Sequence, residues 1–496
     1  MGSYPYQLIT QHLRRDHHFN NRTAPTSDLP HYFSLQIEPP AHTHHAHLSP
    51  KSAVPSPLST NPAPRLLSLD VFRGIAVALM ILVEDAGGIF PSINHSPWNG
   101  LTLADIVMPF FLFIVGLSLG LAYKNLSNRT AATGKAIFRA LKLLIIGVFL
   151  QGGYFHGLNN LTYGVDITQI RWTGVLQRIA IAYFVTAISE IWLKNDCKVD
   201  SGLSLLKRYQ YQWAMAFVLI AIYLSLLYGL YVPDWEYQIP AEMVSSDTKI
   251  LSQHSLPFKV KCGVRGDTGP ACNAAGMVDR TVLGIQHLYR RPIYARTKEC
   301  SVNSPDYGPL PIDAPSWCQA PFDPEGLLSS LMAIVTCFVG VHFGHVIIHF
   351  KVKKKKKSVF NVEFNRLGYC LSDLPYVNQL EQDHKTRILQ WIIPSCCLLL
   401  LGVTCNFFGM HINKVLYSFS YTCVTAGTAG VVFAGAYIMV DVYGCRHLTS
   451  LLEWMGMNAL LIYVLVSCNI IPIVVQGLYW RLPQNNIVSM IGIGHK

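Results

Sequence analysis

Nine runs of mostly apolar residues recur along this chain of 496 residues, near 66–85, 103–123, 136–152, 174–193, 211–232, 326–350, 388–405, 415–440 and 451–476. They constrain the fold more than any motif does. A hydrocarbon layer about 30 Å thick asks for about 20 apolar residues per helix, because lipid offers backbone amides no partners. Composition agrees: 51% of the residues are hydrophobic, 14% are charged and mean hydropathy is +0.30. A soluble domain of this length does not bury that much apolar surface. The sequence predicts an all-α integral membrane protein, a polytopic helical bundle of about nine spans (eight to ten) with one large exoplasmic loop.

The net charge of +11 orients the bundle. Basic residues collect in alternate connections: Arg65; Lys124, Arg129, Lys135 and Arg139; Lys194, Lys198, Lys207 and Arg208; then Lys351 and Lys353 to Lys357. The positive-inside rule assigns these connections, and the N-terminus, to the cytosol. Residues 1–64 contain no apolar run of the signal-peptide kind and are rich in His, Pro and Ser. Eight of the 19 histidines lie there, including His42, His44, His45 and His47. The segment reads as a disordered cytosolic tail, without the fixed geometry a metal needs. A membrane domain follows at 65–480, interrupted by an exoplasmic loop at 233–325 and a cytosolic loop at 351–387, and 481–496 form a short C-terminal tail. The lysine run after the sixth span reads as a stop-transfer flank. Basic residues scattered over membrane-flanking loops argue for lipid and against nucleic acid as a partner.

On the exoplasmic side fall the hairpin at 86–102, the loop at 153–171 and the long loop. The long loop carries Cys262, Cys272, Cys300 and Cys318, disulfide candidates in a compartment that permits them, with three pairings open. Asn160, in Asn160-Leu161-Thr162, is a glycosylation candidate on the same side.

Titratable groups beside a membrane cost free energy and mark function. Glu84, Asp85, His95 and Asp105 crowd one hairpin, with Asn94, Trp98 and Asn99 beside them. An imidazole with a carboxylate to orient it, amides to hydrogen-bond and an aromatic wall is the kit of a general base or a nucleophile. Asp105 also suits the start of the second span as a cap. Asp70 and Arg73 share a face of the first helix and either neutralise each other or meet a charged ligand. Gln177 and Arg178 open the fourth span, either as a bidentate cation or as a snorkelling arginine. Asn458 and Tyr463 are polar groups in the last span, for helix packing or ligand contact. His342, His345 and His349 line one helical face; with no carboxylate partner in view, no metal site is assigned.

Seven stretches carry a family resemblance: SLDVFRGIAVALMILVEDAGG (68–88), NHSPWNGLTLADIVMPFFLFIVG (94–116), GVLQRIAIAYF (174–184), DRTVLGIQHLY (279–289), DPEGLLSS (323–330), YSFSYT (417–422) and GMNALLIYV (456–464). In this order they resemble the heparan-alpha-glucosaminide N-acetyltransferase family, over roughly 65–480. The resemblance implies an acetyl-CoA-dependent membrane acetyltransferase, in a form lacking the N-terminal luminal domain, that moves acetyl from cytosolic acetyl-CoA to the amino group of a glucosaminide-like acceptor on the luminal side. It implies a lysosome-like or vacuole-like membrane rather than the plasma membrane. His95 matches the family's active-site histidine; the hairpin's own residues Asp105, Asn99 or Glu84 are the candidates to help it. Asp70, Arg73, Glu84, Asp85, Trp98, Gln177, Arg178 and Asn458 are candidates for binding acceptor or acetyl-CoA. Whether His95 acts as base or nucleophile stays open, as does a homodimer. Val466 and Ser467 stand where the family carries a His-Glu pair, and the chain ends at IGIGHK before further apolar helices. The rival readings are a secondary transporter of a small polar solute and a catalytically silent relative.

Overall fold

The computed structural model describes residues 66–87, 90, 92–124, 126, 128–151, 170–194, 199, 201–238, 258–350, 374–444 and 446–468. Helix dominates them: α1 (Leu67–Ala86), α2 (Leu103–Ala122), α3 (Arg129–Phe149), α4 (Val175–Trp192), α5 (Gly202–Arg208), α6 (Gln210–Gly229), α7 (Ala274–Val282), α8 (Leu327–His349), α9 (Leu374–Phe407), α10 (Phe419–Tyr437), α11 (Arg446–Met457) and α12 (Ala459–Ser467). A π-helical turn, Ile438–Val442, prolongs α10.

The chain is a helical membrane protein, but nine uninterrupted spans are not what its described residues form. Six helices are long and apolar enough to cross a bilayer: α2, α4, α6, α8, the His384–Phe407 part of α9, and α10 with its π-turn. Helices α1 and α3 match them in length, with 20 and 21 residues. Asp70, Arg73 and Glu84 interrupt the first, and Arg129, Lys135, Arg139 and Lys142 the other. The expected last span, 451–476, is broken instead: Thr449–Met457 and Ala459–Ser467 meet at 77°. Two further boundaries are corrected. Helix α9 begins at Leu374, well inside the expected cytosolic loop 351–387, because Pro375 fits a first helical turn and nothing after it breaks a helix before the membrane. Helix α10 begins at Phe419, so Val415 to Ser418 belong to a loop, where Tyr417 takes a φ of 54°. The tail 1–64, Asn160, Lys351 to Lys357 and the C-terminal tail 481–496 lie outside the described residues, as does the side chain of Asp85.

Helices α2 and α8 form the centre, since most of their residues are buried, whereas α6 and α9 are largely exposed at the periphery. The central pair crosses on glycines. A Cβ on Gly116 would fall 1.9 Å from the Cys337 carbonyl oxygen, and one on Gly340 would fall 2.1 Å from that of Phe113. In lipid, where apolar side chains gain nothing by leaving solvent, such close backbone contact supplies the dispersion that holds helices together. Aromatic rings fill the space beside it: Phe113 stands edge-on to Phe343 at 4.9 Å, and Trp391 to Phe433 at 5.0 Å.

Between α6 and α8 the long loop folds over one end of the bundle. It contains an antiparallel pair, β1 (Trp235–Tyr237) and β2 (Phe258–Val260), with Trp235 opposite Val260. Disulfides join Cys262 to Cys272 and Cys300 to Cys318, one of the three pairings the sequence leaves open. Helix α7 fixes the loop to the bundle, because Asp279 Oδ1 accepts the Leu327 N–H at the start of α8, 2.8 Å away.

Candidate functional site

The loop-covered end holds the hairpin between α1 and α2. Gly100, at a φ of +122°, turns the chain where other residues would be strained. Two residues on, the first turn of α2 caps itself: Asp105 Oδ2 accepts the Thr102 N–H at 3.1 Å and the Thr102 hydroxyl at 2.9 Å. It also accepts the Ser96 N–H at 3.3 Å, which ties the cap to the hairpin. Its other oxygen, Oδ1, lies 2.9 Å from His95 Nδ1. A carboxylate only accepts, so Nδ1 carries the proton and Nε2 keeps a lone pair. Asp105 thus caps the helix with one oxygen and meets the imidazole with the other.

A residue that sequence reasoning missed completes the arrangement. Lys414 Nζ lies 2.8 Å from His95 Nδ1, 3.2 Å from Nε2 and 3.6 Å from Asp105 Oδ1. Asn99 brings it there rather than touching His95. Asn413 Nδ2 donates to Asn99 Oδ1 at 3.2 Å, and the Gly100 N–H donates to the Ile412 carbonyl at 2.9 Å, joining the hairpin to the loop before α10. The Tyr421 hydroxyl donates to the Asp105 carbonyl at 2.5 Å from the first turn of α10.

These surroundings set the charge of the imidazole. Burial and then the Lys414 cation lower the His95 pKa to about 4, against the opposing pull of Asp105. The ring is neutral at physiological pH. Burial also lowers Lys414, although the carboxylates of Asp105 and Glu325 favour its charge. With 22% of its side chain exposed, His95 remains open to a reactant.

A second ring of charge surrounds the first. Arg171 grips Asp323 through two nitrogens, at 2.7 and 2.5 Å, and also Glu325; the Thr173 hydroxyl donates to the same Asp323 at 2.8 Å. Burial pushes the Glu325 carboxyl up, but Arg171 and Arg178 outweigh it and hold it low. Arg296 NH1 donates to Asn94 Oδ1 at 3.2 Å, and that oxygen also accepts the His95 N–H at 2.8 Å. Asp279 differs: burial raises its pKa to about 7 despite the Leu327 N–H.

The other expected residues divide. Trp98 is buried, edge-on to Tyr294 and Phe322, with Nε1 donating to the Thr268 carbonyl at 3.1 Å; it anchors the hairpin to the long loop. Arg178 NH2 donates to the Pro324 carbonyl at 2.8 Å and to Ser329 Oγ at 2.5 Å. Gln177 is buried next to Gly147 and Gly174. Glu84, exposed near the end of α1, lies within electrostatic reach of Tyr289 and Tyr463. Asp70 and Arg73 pair at 2.7 Å, with Arg73 also donating to Ser118 Oγ at 2.6 Å, about 20 Å along α1 from Glu84 and so apart from His95. Asn458 marks the break between α11 and α12 and donates to the Trp454 carbonyl at 3.0 Å.

Of the histidines of α8, His345 does meet a carboxylate, which the sequence hid. Glu190 of α4 lies 2.9 Å from His345 Nε2 and 2.7 Å from Lys194 Nζ. Among the described residues no group of three or more His, Cys, Asp or Glu side chains could hold a metal ion.

Residues 65–198, which contain His95, Asp105 and Arg178, match a family model described as heparan-alpha-glucosaminide N-acetyltransferase, catalytic. Heparan-alpha-glucosaminide N-acetyltransferase of Homo sapiens is 30% identical over 422 residues, 81% of this chain and 52% of that protein. The enzyme of the same name from Mus musculus is 29% identical over 423 residues, 81% and 53% of the respective chains. The chain therefore spans about half the length of the curated relatives it matches. With the family's motifs in order and its catalytic stretch spanning His95, the chain is similar to the heparan-alpha-glucosaminide N-acetyltransferase family.

Proposed function

We propose that this chain transfers acetyl from acetyl-CoA to the amino group of a glucosaminide-like acceptor across a membrane, with His95 meeting the acceptor amine. The observation that carries this reading is the contact of His95 with both Asp105 and Lys414, inside the stretch that matches the catalytic family model. The relatives' name supplies the acceptor class, and the alternating basic loops support a cytosolic face for acetyl-CoA and an exoplasmic one for the sugar. An endomembrane location accords with both.

The amine nitrogen attacks the thioester carbonyl carbon while His95 Nε2 accepts the amine proton, and Asp105 steadies the imidazolium that forms. The carbonyl oxygen becomes an oxyanion, for which Lys414 is the nearest cation. Charge that grows there offsets the very cation that lowers His95, so the ring gains basicity as the proton arrives. The carbon–sulfur bond then breaks, the proton passes to the departing sulfur, and amide and free CoA thiol result. The same neutral ring also suits attack by Nε2 itself and an acetyl-imidazole intermediate, which an acid-quenched digest would reveal as labelled His95.

Sealed vesicles given labelled acetyl-CoA outside and glucosamine inside test the proposal. Wild type acetylates the sugar, and His95→Ala loses on the order of a thousandfold in rate. Undiminished transfer by the variant removes His95 from the chemistry. Sugar that crosses unacetylated in wild type replaces the enzyme with a transporter.

A further inference from the structure

Helix α3 carries charge where a membrane helix should not. Its packing face, with Ala132, Ala136 and Gly147 buried, lies against α4. Its exposed positions include Ile137 at 48%, Phe138 at 69%, Leu141 at 51% and Phe149 at 59%, a surface suited to acyl chains. Lys135, Arg139 and Lys142 stand between these two faces, all exposed. Their spacing, i, i+4 and i+7, confines them to a sector of about 60°. Among the described residues none of the three forms an ion pair.

Depth can be read from the neighbour. Trp192 Nε1, in the last turn of α4, donates to Thr133 Oγ1 at 3.2 Å, while Gly147 abuts Gln177 in the first turn of α4. The two helices therefore run antiparallel along their length, and α4 is long and apolar enough to span. Arg139 and Lys142 then sit about 9 and 14 Å inward from Thr133. Helical side chains lean toward the N-terminus, so all three long side chains reach back toward the Trp192 end. There Arg129 lies over the Trp192 ring, 5.9 Å from its centroid, as interfacial aromatic and basic residues do. A cation at such depth without a protein carboxylate is costly unless an anion comes to it.

We propose that Lys135, Arg139 and Lys142 form a binding site for the phosphate headgroups of anionic phospholipids, with the apolar flank of α3 receiving the acyl chains. A lipid satisfies both surfaces at once, which a free anion cannot. The site stands apart from His95 and does not depend on the acetyl-transfer reading.

The full chain in nanodiscs of phosphatidylcholine, with or without phosphatidylserine, tests it by thermal unfolding and by mass spectrometry of co-purified lipid. Wild type unfolds at higher temperature with phosphatidylserine and retains that lipid preferentially, each cation contributing about a fivefold preference. K135Q/R139Q/K142Q loses both effects, and K135R/K142R keeps them. A triple variant that retains the phosphatidylserine increment overturns the site. If the triple variant fails to fold, Lys142→Gln, which removes the deepest cation, carries the test, and an unchanged lipid ratio refutes the proposal. Adenosine 3′,5′-bisphosphate or inorganic phosphate is added to lipid-free detergent samples as a further arm. Stabilisation there that the variant abolishes assigns the site to a soluble phosphate and overturns the lipid reading.

Discussion

At the loop-covered end of the bundle His95, Asp105 and Lys414 meet; between α4 and α8, toward the other end, His345, Glu190 and Lys194 do. Each joins an imidazole, a carboxylate and a lysine, with 2.9 Å from each imidazole to its carboxylate. Their surroundings differ. His345 is 1% exposed and lies face to face with Tyr209, ring centroids 3.5 Å apart and planes within 8°. Gln212 Nε2 donates to the same Glu190 oxygen at 2.8 Å, and the adjoining cavity, bordered by His342 and Trp213, has room for about one water. His95, in the hairpin, keeps 22% of its side chain exposed, and its partners come from the first turn of α2 and the loop before α10. On the acetyl-transfer reading a His–carboxylate–Lys set serves chemistry where its imidazole is partly exposed; enclosed, it holds helices in register.

The largest separation between the two ends is catalytic. His345→Gln keeps a side chain that can donate to Glu190, so transfer continues at close to the wild-type rate in the vesicle assay that His95→Ala silences. A collapse of both variants, with both folded by circular dichroism, would erase the distinction and make the second set part of the acetyl path.

Next in size is stability. Glu190 answers His345, Lys194 and Gln212 from inside the bundle. Glu190→Gln leaves the lysine without its counter-charge and should cost about 3 kcal/mol, the usual scale for breaking a buried pair. Unfolding in mild detergent measures it. An unaltered unfolding midpoint would show that Glu190 does not hold α4, α6 and α8 together, and the enclosed set would need another purpose.

How much of this contrast the sequence carries follows from the range of each signal. The apolar runs and the local order of hairpin and cap are encoded within a turn or two, so His95, Asp105 and the starts of α2 and α4 were legible. Contacts between distant segments were not. Lys414 is 319 residues from His95, and Glu190 is 155 from His345. One signal for Lys414 did exist: it is a basic residue in a connection that charge alternation leaves nearly free of them. Length and apolarity alone leave α1 and α3 outside the six spanning helices, because charges share those apolar helices and periodicity does not say whether such charges pair, snorkel or sit outside the bilayer. Asn458 shows the converse limit, since a continuous apolar pattern concealed a 77° bend.

The finest test of the comparison is the pH dependence that Lys414 imposes on His95. An ordinary histidine has a pKa near 6.5; burial first and Lys414 second lower this one to about 4. The ring is the neutral reactant above that value, so the acid limb of transfer should fall near pH 4. Lys414→Met removes the second cause and leaves the first, which moves the limb upward without reaching 6.5. Lys414→Arg keeps the cation and the limb in place. The reading is the position of the limb, not the plateau, which also falls when the oxyanion loses its cation. Stability follows with the opposite partner: between pH 6.5 and 4 the unfolded chain binds a proton at His95 that the folded chain refuses, so folding weakens as pH drops through that window. Lys414→Met narrows the window from below. Lys194→Met, the matching change at the enclosed set, leaves the acid limb of transfer unmoved, because no imidazole there meets the substrate; a limb that shifts equally in both variants would refute a direct effect of Lys414 on His95.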